Sequence, residues 1–340
     1  MARLKPVPSE RSSYKHHIRT YILNALPFTF TVIICAYTLD RWELLQRAVA
    51  SAVAQTQPPI EIIVCTDHNP ELASRCRATW AAAELVQVIE NRYPGRLGSA
   101  RNTAVEIASG DVLAFIDDDA AAEPDWLERM AAIYAESPTI QAVGGAPTPD
   151  FQTARPRWFP YEFDWVFGCA YRGLPTARAA TGRLIGASMS ARGQAVVAVG
   201  GFHSDDHDDM DLSHRLLDRF GIESVIYDPE IQVRHYVSAQ RVTWHYFWRR
   251  CFNVNRGKVL AVRDMAEAGN HDADMVFVKT AIFRSMPAYL GSWSDGGPLR
   301  AGAMIAGILL AALGNFSGRV GLLAKVTEPS LTQGLSEKPT

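Results

Sequence analysis

The first part of the sequence alternates short apolar runs with stretches of helical spacing, and this alternation limits the fold more than any other feature. The apolar runs that read as buried strands are FTFTVIICAY, PPIEIIVCTD, ELVQVIEN and DVLAFIDDDA. Helical patterns stand between them, and Pro124 opens a further helix, as proline does in a first turn. Alternating strands and helices are typical of βαβ units. We therefore predict an α/β fold in which a mostly parallel central sheet is flanked by helices.

Polar residues stand where three of these predicted strands end. They are Thr38 after the first run, Asp67 in the second and Asp117 to Asp119 in the last. In sheets of this kind, ligands bind outside the carboxyl ends of the strands. Adjacent carboxylates repel each other unless a cation neutralises them, and Mg²⁺ or Mn²⁺ takes carboxylate oxygens together with phosphate oxygens. The run therefore predicts a metal and diphosphate site, and the alternative is a solvated acidic turn that caps the next helix.

A second acidic cluster lies in the segment GGFHSDDHDDMDLSHRLLDRFG, where a glycine turn leads into a helix. Asp208, Asp209 and Asp211 stand around the start of that helix. The positive end of a helix dipole favours carboxylates at this place, which is a structural explanation for some of them. The chemical alternative is that one of them is a general base, which takes a proton from an attacking hydroxyl group.

Composition excludes some classes of partner and site. The chain has 340 residues, 48% hydrophobic content and a formal net charge of -2, so it can bury a large core and has no basic excess for nucleic acid. Its five cysteines are scattered without a C-x-x-C pair, which argues against zinc and favours a reducing compartment. Residues 1–27 form a polar, basic arm with no apolar run behind the charges, unlike a secretory signal. We therefore expect the site to face the cytoplasm.

Four motifs, in this order, resemble those of glycosyltransferase family 2, the inverting enzymes with the Rossmann-like GT-A fold. VIICAYTLDRW resembles the first strand and nucleotide loop, IIVCTDHN the second strand, GRLGSARNTAVEIASGDVLAFIDDDA the stretch up to the metal-binding Asp-x-Asp, and DDMDL the acidic pair. The resemblance covers approximately residues 28–260. It implies a UDP-sugar or another nucleoside-diphosphate sugar as donor, Mg²⁺ or Mn²⁺ as cofactor, and direct displacement by an acceptor.

Carried over residue by residue, the resemblance assigns roles to the acidic groups. Asp209 is the general base with Asp208 in support, although the family usually has glutamate at the first of these positions, so the choice between them stays open. His235 resembles a third metal ligand, with a purely structural histidine as the alternative. The implied metal ligands are Asp119, Asp117 and His235, and the implied nucleotide-sugar contacts are Ala36, Thr38, Asp67, Arg101, Asp117 and Asp118.

Three later segments resemble a narrower branch of the family, which contains archaeal glucosyl-dolichyl-phosphate glucuronosyltransferases and bacterial relatives. They are WFPYEFDWVFGCAYRG, LIGASMSARG and RVTWHYFWRRCFNVNRGK. This branch implies a lipid-linked or polysaccharide acceptor. The family commonly has asparagine at the position of Ser188, so its sugar specificity is not carried over. The implied acceptor contacts are Trp165, Gly186, Ser188 and Arg249.

The C-terminal segment indicates contact with a membrane. The run AGAMIAGILLAALG holds about 14 apolar residues, short of the roughly 20 that cross a bilayer, and Arg300 and Arg319 flank it. It reads as a helix in or on the membrane, or as a buried helix of the soluble fold. The predicted organisation is a polar arm (1–27), a GT-A domain (28–260, with a donor half 28–141 and an acceptor half 142–260), a helical, membrane-associated region (261–325) and a polar tail (326–340) at the cytoplasmic face of the cell membrane.

Two other functions stay open at this point. A nucleotidyltransferase also uses an α/β sheet and carboxylate-bound metal, but such enzymes usually have a glycine-rich phosphate loop after the first strand, and CAYTLDRW contains no glycine. A non-catalytic sugar-binding protein would have a degenerate site, and the presence of both acidic clusters argues against that reading.

Overall fold

The structure is a computed structural model that describes residues 28–205, 207–261, 277–293 and 296–323. The predicted arm at residues 1–27 and tail at residues 326–340 lie outside the described residues, as does part of the predicted region 261–325.

The first half of the chain forms the parallel part of the sheet, with strands in the order β3-β2-β1-β4. The apolar side chains of the three inner strands are buried on both faces, as expected for strands covered by crossover helices, whereas those of the edge strand β3 are partly buried. Cys35 of β1 pairs with Cys65 of β2 and with Asp117 of β4, so the carboxyl ends of these strands meet at one edge. The bounds are β1 Phe30–Ala36, β2 Glu61–Thr66, β3 Val86–Glu90 and β4 Val112–Asp117.

The second half of the chain extends this sheet with mixed strand directions. The strand after β4 in the sheet runs antiparallel to it, and the longest strand pairs in parallel with one neighbour and antiparallel with the others. The sheet as a whole is therefore mixed, because this part of the chain adds antiparallel pairings to the parallel ones. The bounds are β5 Ala120–Ala122, β6 Ala142–Phe151, β7 Ala179–Ala180, β8 Met189–Arg192 and β9 Val225–Val237.

The helices between residues 42 and 220 cover both faces of the sheet. Helix α1 buries Leu45, Ala48, Val49 and Ala52, one apolar face at helical spacing, against it. Asn69 caps α2 by accepting a hydrogen bond from the Leu72 amide at 3.0 Å, and this fixes where the polar turn after β2 ends. The bounds are α1 Trp42–Val53, α2 Pro70–Trp80, α3 Leu97–Val105, α4 Trp126–Glu136, α5 Gly193–Ala198 and α6 Asp208–Phe220.

A separate aromatic core joins residues 159–169 to the C-terminal helices. The short helix Tyr161–Phe167 supplies Phe163, which packs against Phe247 with 5.3 Å between ring centroids. Beneath it Tyr289 donates a hydrogen bond to the buried carboxylate of Glu162 at 2.7 Å. The helices concerned are α7 Trp244–Ala261, a π-helical turn at Ala281–Ser285, α8 Met286–Leu290 and α9 Gly297–Leu323.

Helix α9 is longer than its apolar run. Within the described residues, Gly297–Val320 is one stretch that is long and apolar enough to cross a membrane by length and composition alone, and most of its residues are not buried against the protein. This stretch contains Arg319, which the apolar run seen in the sequence leaves outside.

Candidate active site

The site forms at the carboxyl end of β4, where the short strand β5 that follows it pairs with β9. This place is called the corner below. Asp117 is the last residue of β4, and the short strand that follows pairs Ala120 with His235 of β9. This pairing brings Asp119 beside the imidazole, whose Nε2 lies 2.9 Å from Asp119 Oδ1 and 3.8 Å from Asp117 Oδ2. The local sequence explains the position of Asp117, because the buried run before it forms β4, whereas the contact of Asp119 with His235 depends on the pairing of the following strand with β9.

Asp117, Asp119 and His235 have the geometry of a cation site. One ligand atom from each lies within 4.8 Å of the other two, and Asp119 and His235 are buried. Burial alone lowers the pKa of His235, but the adjacent Asp119 carboxylate outweighs burial and holds that pKa above its ordinary value. Burial raises the pKa of Asp119, and His235 with two arginines reverses this to a pKa below the ordinary value. Two carboxylates and an imidazole fit Mn²⁺ or Mg²⁺.

Two arginines flank this corner. The Arg41 Nη1 atom lies 2.8 Å from Asp118 Oδ1 and 3.2 Å from Asp119 Oδ2, and Arg241 Nη1 lies 3.4 Å from Asp119 Oδ2. Burial and the neighbouring Asp119 raise the pKa of Asp118 to about 7, although Arg41 opposes the shift. The second oxygen of Asp118 is buried without a hydrogen-bond partner among the described residues. The corner therefore holds two guanidinium groups, which are suited to binding phosphate oxygens.

Arg101 connects the two acidic groups of the sequence. Its side chain is 3% exposed, its Nη2 atom lies 3.2 Å from Asp117 Oδ1, and its Nη1 atom donates to Asp208 Oδ2. Burial and the neighbouring Asp209 raise the pKa of Asp208 to about 7, although Arg101 opposes the shift. Because one guanidinium contacts Asp117 and Asp208, groups 91 residues apart in the chain share one corner.

Asp209 is the more accessible member of its pair. It is half-buried, whereas Asp208 is 6% exposed. Its carboxylate accepts hydrogen bonds from the amides of Gly186 at 3.1 Å and Met210 at 2.7 Å. Burial raises the pKa of Asp209, but Arg183, Arg101 and these amides outweigh burial and lower it below the ordinary value. The carboxylate is therefore ionised at neutral pH and able to accept a proton.

The predicted nucleotide contacts lie at the ends of β1 and β2. The Asp67 amide donates to the Ala36 carbonyl at 2.8 Å, which holds the two strand ends together. The Asp67 carboxylate accepts from Asn91 Nδ2 at 2.8 Å and is 13% exposed. Thr38 accepts from the Asp40 amide at 3.2 Å and caps the turn that follows. These residues form one polar ledge beside the acidic corner.

An open cavity of about 880 Å³ borders the site. Its lining includes Thr38, Asp119 and three arginines, Arg41, Arg75 and Arg241. The other predicted ligand residues, such as Asp67 and Asp209, are not in its lining. The cavity therefore extends the corner on one side, toward the loop after β9.

Sequence comparison decides the family. The model of the family described as Glycosyl transferase family 2 matches residues 31–179. The chain is 31% identical over 231 residues to the glucosyl-dolichyl phosphate glucuronosyltransferase of Haloferax volcanii, which covers 65% of this chain and 74% of that protein. The chain belongs to glycosyltransferase family 2.

Other relatives agree with this membership. The transferase is 33% identical over 94 residues to the UDP-Glc:alpha-D-GlcNAc-diphosphoundecaprenol beta-1,3-glucosyltransferase WfaP of Escherichia coli, covering 26% of this chain and 34% of that protein. Among solved structures, the mannosyltransferase PcManGT from Pyrobaculum calidifontis, in complex with GDP-Man and Mn²⁺, has a TM-score of 0.57 at 17% identity and covers 90% of this chain and 96% of its own. The predicted GT-A fold is thereby confirmed.

The predicted acceptor residues of the transferase lie in different surroundings. Gly186 is part of the corner, since its carbonyl accepts from Arg101 at 3.3 Å and its amide donates to Asp209. Ser188 is fully buried, and its hydroxyl accepts from the Trp126 indole at 3.0 Å. Trp165 packs on the aromatic core, and Arg249 is exposed on α7. The structure therefore brings Gly186 to the corner and gives Ser188 a contact inside the core.

Sequence reasoning missed three residues that contact the corner. They are Arg41, Arg241 and Cys169, whose Sγ atom lies 3.6 Å from His235 Nδ1. The cysteine lies directly after Gly168, which has a φ of 77° and ends the preceding helix. Arg41 and Arg241 follow β1 and β9, and both strands end at the ligand-binding edge of the sheet. Their positions after these strands were the sequence feature that could have identified them.

Proposed function

We propose that this glycosyltransferase moves a sugar from a nucleoside-diphosphate sugar, with UDP-sugar as the first choice, to a lipid-linked or polysaccharide acceptor, with inversion at the anomeric carbon. The observation that carries the proposal is the shared corner, where Arg101 contacts an aspartate of each acidic group. Displacement with inversion needs a group that accepts a proton on one face of the sugar and a site for the diphosphate on the other.

The diphosphate side of the proposal rests on Asp117, Asp119 and His235. These residues would hold Mg²⁺ or Mn²⁺, which when bound supplies positive charge to the departing diphosphate. The guanidinium groups of Arg41 and Arg241 border the same corner and are suited to further phosphate oxygens. The donor is therefore anchored at the carboxyl end of β4.

The proton-accepting side rests on Asp209. Asp209 is the more accessible member of its pair, and the amides of Gly186 and Met210 fix the orientation of its carboxylate. Asp208 is buried in its contact with Arg101, which suits a residue that positions the corner. In this proposal Asp209 takes the proton of the acceptor hydroxyl as that oxygen bonds to the anomeric carbon.

The base of the donor nucleotide lies on the polar ledge formed by Ala36, Thr38 and Asp67. The Asp67 carboxylate is held by Asn91 and keeps an exposed edge that suits a hydrogen bond from a nucleobase or ribose. The acceptor class is proposed from relatives whose names include a dolichyl phosphate and a diphosphoundecaprenol substrate. We place the transferase at the cytoplasmic face of the membrane, attached through its C-terminal region.

Binding of nucleotide-sugars tests the donor assignment without knowledge of the acceptor. A UDP-sugar at about 100 times its Kd, with Mn²⁺, should stabilise the folded chain by about 2.7 kcal/mol and raise Tm by roughly 5 °C. The measurement is a thermal-shift panel of UDP-, GDP- and dTDP-sugars, with and without Mn²⁺. The Asp67→Ala variant should lose most of the shift, whereas the surface variant Asp125→Ala should keep it. A panel in which no nucleotide-sugar changes Tm contradicts the proposed donor class.

A further inference from the structure

Helix α9 exposes an apolar stripe along most of its length. The stripe consists of residues spaced by three or four positions, which places them on one face. Each has between 46% and 67% of its surface exposed. Phe283 and Trp293, both 78% exposed, add large apolar side chains just before the helix. The residues of the stripe are Ile305, Leu309, Leu313, Phe316 and Val320.

The opposite face of α9 packs closely on α7 through glycines. A Cβ atom at Gly314 would lie 2.2 Å from the Phe252 carbonyl oxygen, and one at Gly318 would lie 2.8 Å from the Arg256 carbonyl oxygen. Small residues allow two helix backbones to approach in this way. Helix α9 is therefore packed against α7 as far as Gly318. If this part of α9 lies in a membrane, α7 must lie beside it.

Helix α7 cannot enter the hydrocarbon of a bilayer at low cost. It exposes Arg249, Arg250 and Arg256, and charged side chains in a membrane interior are costly. If α9 crossed the bilayer, it would either lose its packing against α7 or bring the arginines of α7 into the hydrocarbon. A helix that lies in the plane of the surface keeps both the packing and the hydration of the arginines.

The charge of this region favours an anionic surface over a second copy of the chain. Residues 244–323 contain nine Lys and Arg side chains and five Asp and Glu side chains, so this region has a formal charge of +4 in a chain whose formal net charge is -2. Two copies facing each other through this region would bring like charges together. Anionic headgroups attract basic residues next to an apolar stripe, as in helices that lie at membrane interfaces.

We propose that α9 is an in-plane membrane anchor, with its apolar stripe in the boundary between headgroups and acyl chains, and that it does not span the bilayer. The proposal deepens the proposed function, since it rests on the same membrane attachment. The same packing connects the proposed anchor to Asp209, the proposed general base. A Cβ atom at Gly257 of α7 would lie 2.1 Å from His207 Nε2, and His207 directly precedes the Asp208 and Asp209 pair. The loop before the base is thus packed on the helix that carries the anchor.

Vesicle flotation tests the stripe. The full chain should bind phosphatidylcholine vesicles that contain phosphatidylglycerol more tightly than vesicles without it. Leu309→Glu with Leu313→Glu should weaken partitioning about tenfold or more, because two exposed apolar side chains that the proposal places in the lipid are replaced by charge. The control is Val197→Glu, since Val197 and Leu313 are each 57% exposed, and it should bind like the native chain. If the double variant floats like the control, or changes only the oligomeric state, the stripe is not a lipid surface.

Topology tests the in-plane placement on the native chain, independently of any variant. An epitope tag after Thr340 should be cleaved by protease from the same side of the vesicle as the catalytic domain. A tag that stays protected while the domain is digested would show that α9 crosses the bilayer and would overturn the proposal. UDP-sugar binding by the same samples separates the two proposals, because a native chain that binds UDP-sugar but does not bind the vesicles refutes only the anchor.

Discussion

Asp209→Asn abolishes sugar transfer while nucleotide-sugar binding stays near that of the native chain. The substitution keeps the shape of the side chain and removes its ability to accept a proton, and a positioned base contributes about 10²- to 10⁴-fold to rate. The Asp209 carboxylate accepts hydrogen bonds from the amides of Gly186 and Met210. Its link to the predicted nucleotide-sugar contacts is indirect, because Arg101 donates to the Gly186 carbonyl. The affinity for the nucleotide-sugar should therefore change little. Turnover is measured with saturating donor, and donor Kd by calorimetry.

Two further variants on α6 serve as controls for the Asp209→Asn result. Asp218→Asn removes an exposed carboxylate from α6 and should leave turnover unchanged. Asp208→Asn should also lower activity, because it deprives the buried Arg101 of a partner, and it should lower the stability of the fold as well. If Asp209→Asn keeps its turnover while Asp208→Asn loses it without loss of stability, the base is Asp208.

Asp119→Ala removes transfer and the dependence on divalent cations together. Asp119 contacts His235 and both flanking arginines, so its loss takes one ligand from the proposed cation site and leaves the positive groups without their shared partner. Stabilisation of leaving-group charge is worth several kcal/mol, so we expect a loss of about 10³-fold or more in kcat. The measurement is a titration of activity with Mn²⁺ and Mg²⁺ after treatment with EDTA.

The matched control for this variant is Asp125→Ala, six positions after Asp119, which removes a surface carboxylate paired with Arg129. It should titrate with metal like the native chain. A native chain with full activity in EDTA, or an Asp119→Ala variant that still responds to Mn²⁺, is incompatible with the proposed cation site.

The sequence predicts the parallel half of the sheet well because its signals are local. The runs before Asp67 and Asp117 are β-rich and apolar, and the polar residues that end them mark the ligand edge directly. The second half is less readable. Strand β6 has the sequence AVGGAPTPDF, in which glycine and proline argue against a strand, and the structure accommodates them because the pairing with β9 shifts register between Gly144 and Ala146.

The site itself depends on pairings that no spacing in the sequence reveals. His235 meets Asp119 because β5 pairs with β9, and Arg101 meets Asp208 because two helices far apart in the chain converge on β4. Family resemblance pointed to these residues, whereas local pattern did not. Arg41 and Arg241 escaped notice because an arginine in a loop reads as solvated charge until its carboxylate partner is known.

Stereochemistry of the product tests the central claim most directly. The claim is that the attacking oxygen and the departing diphosphate occupy opposite faces of one anomeric carbon. Proton NMR of the first product formed from an α-linked UDP-sugar should show a β-glycosidic anomeric proton. An α-linked product from that donor would show net retention, and the single displacement assisted by Asp209 would then be wrong.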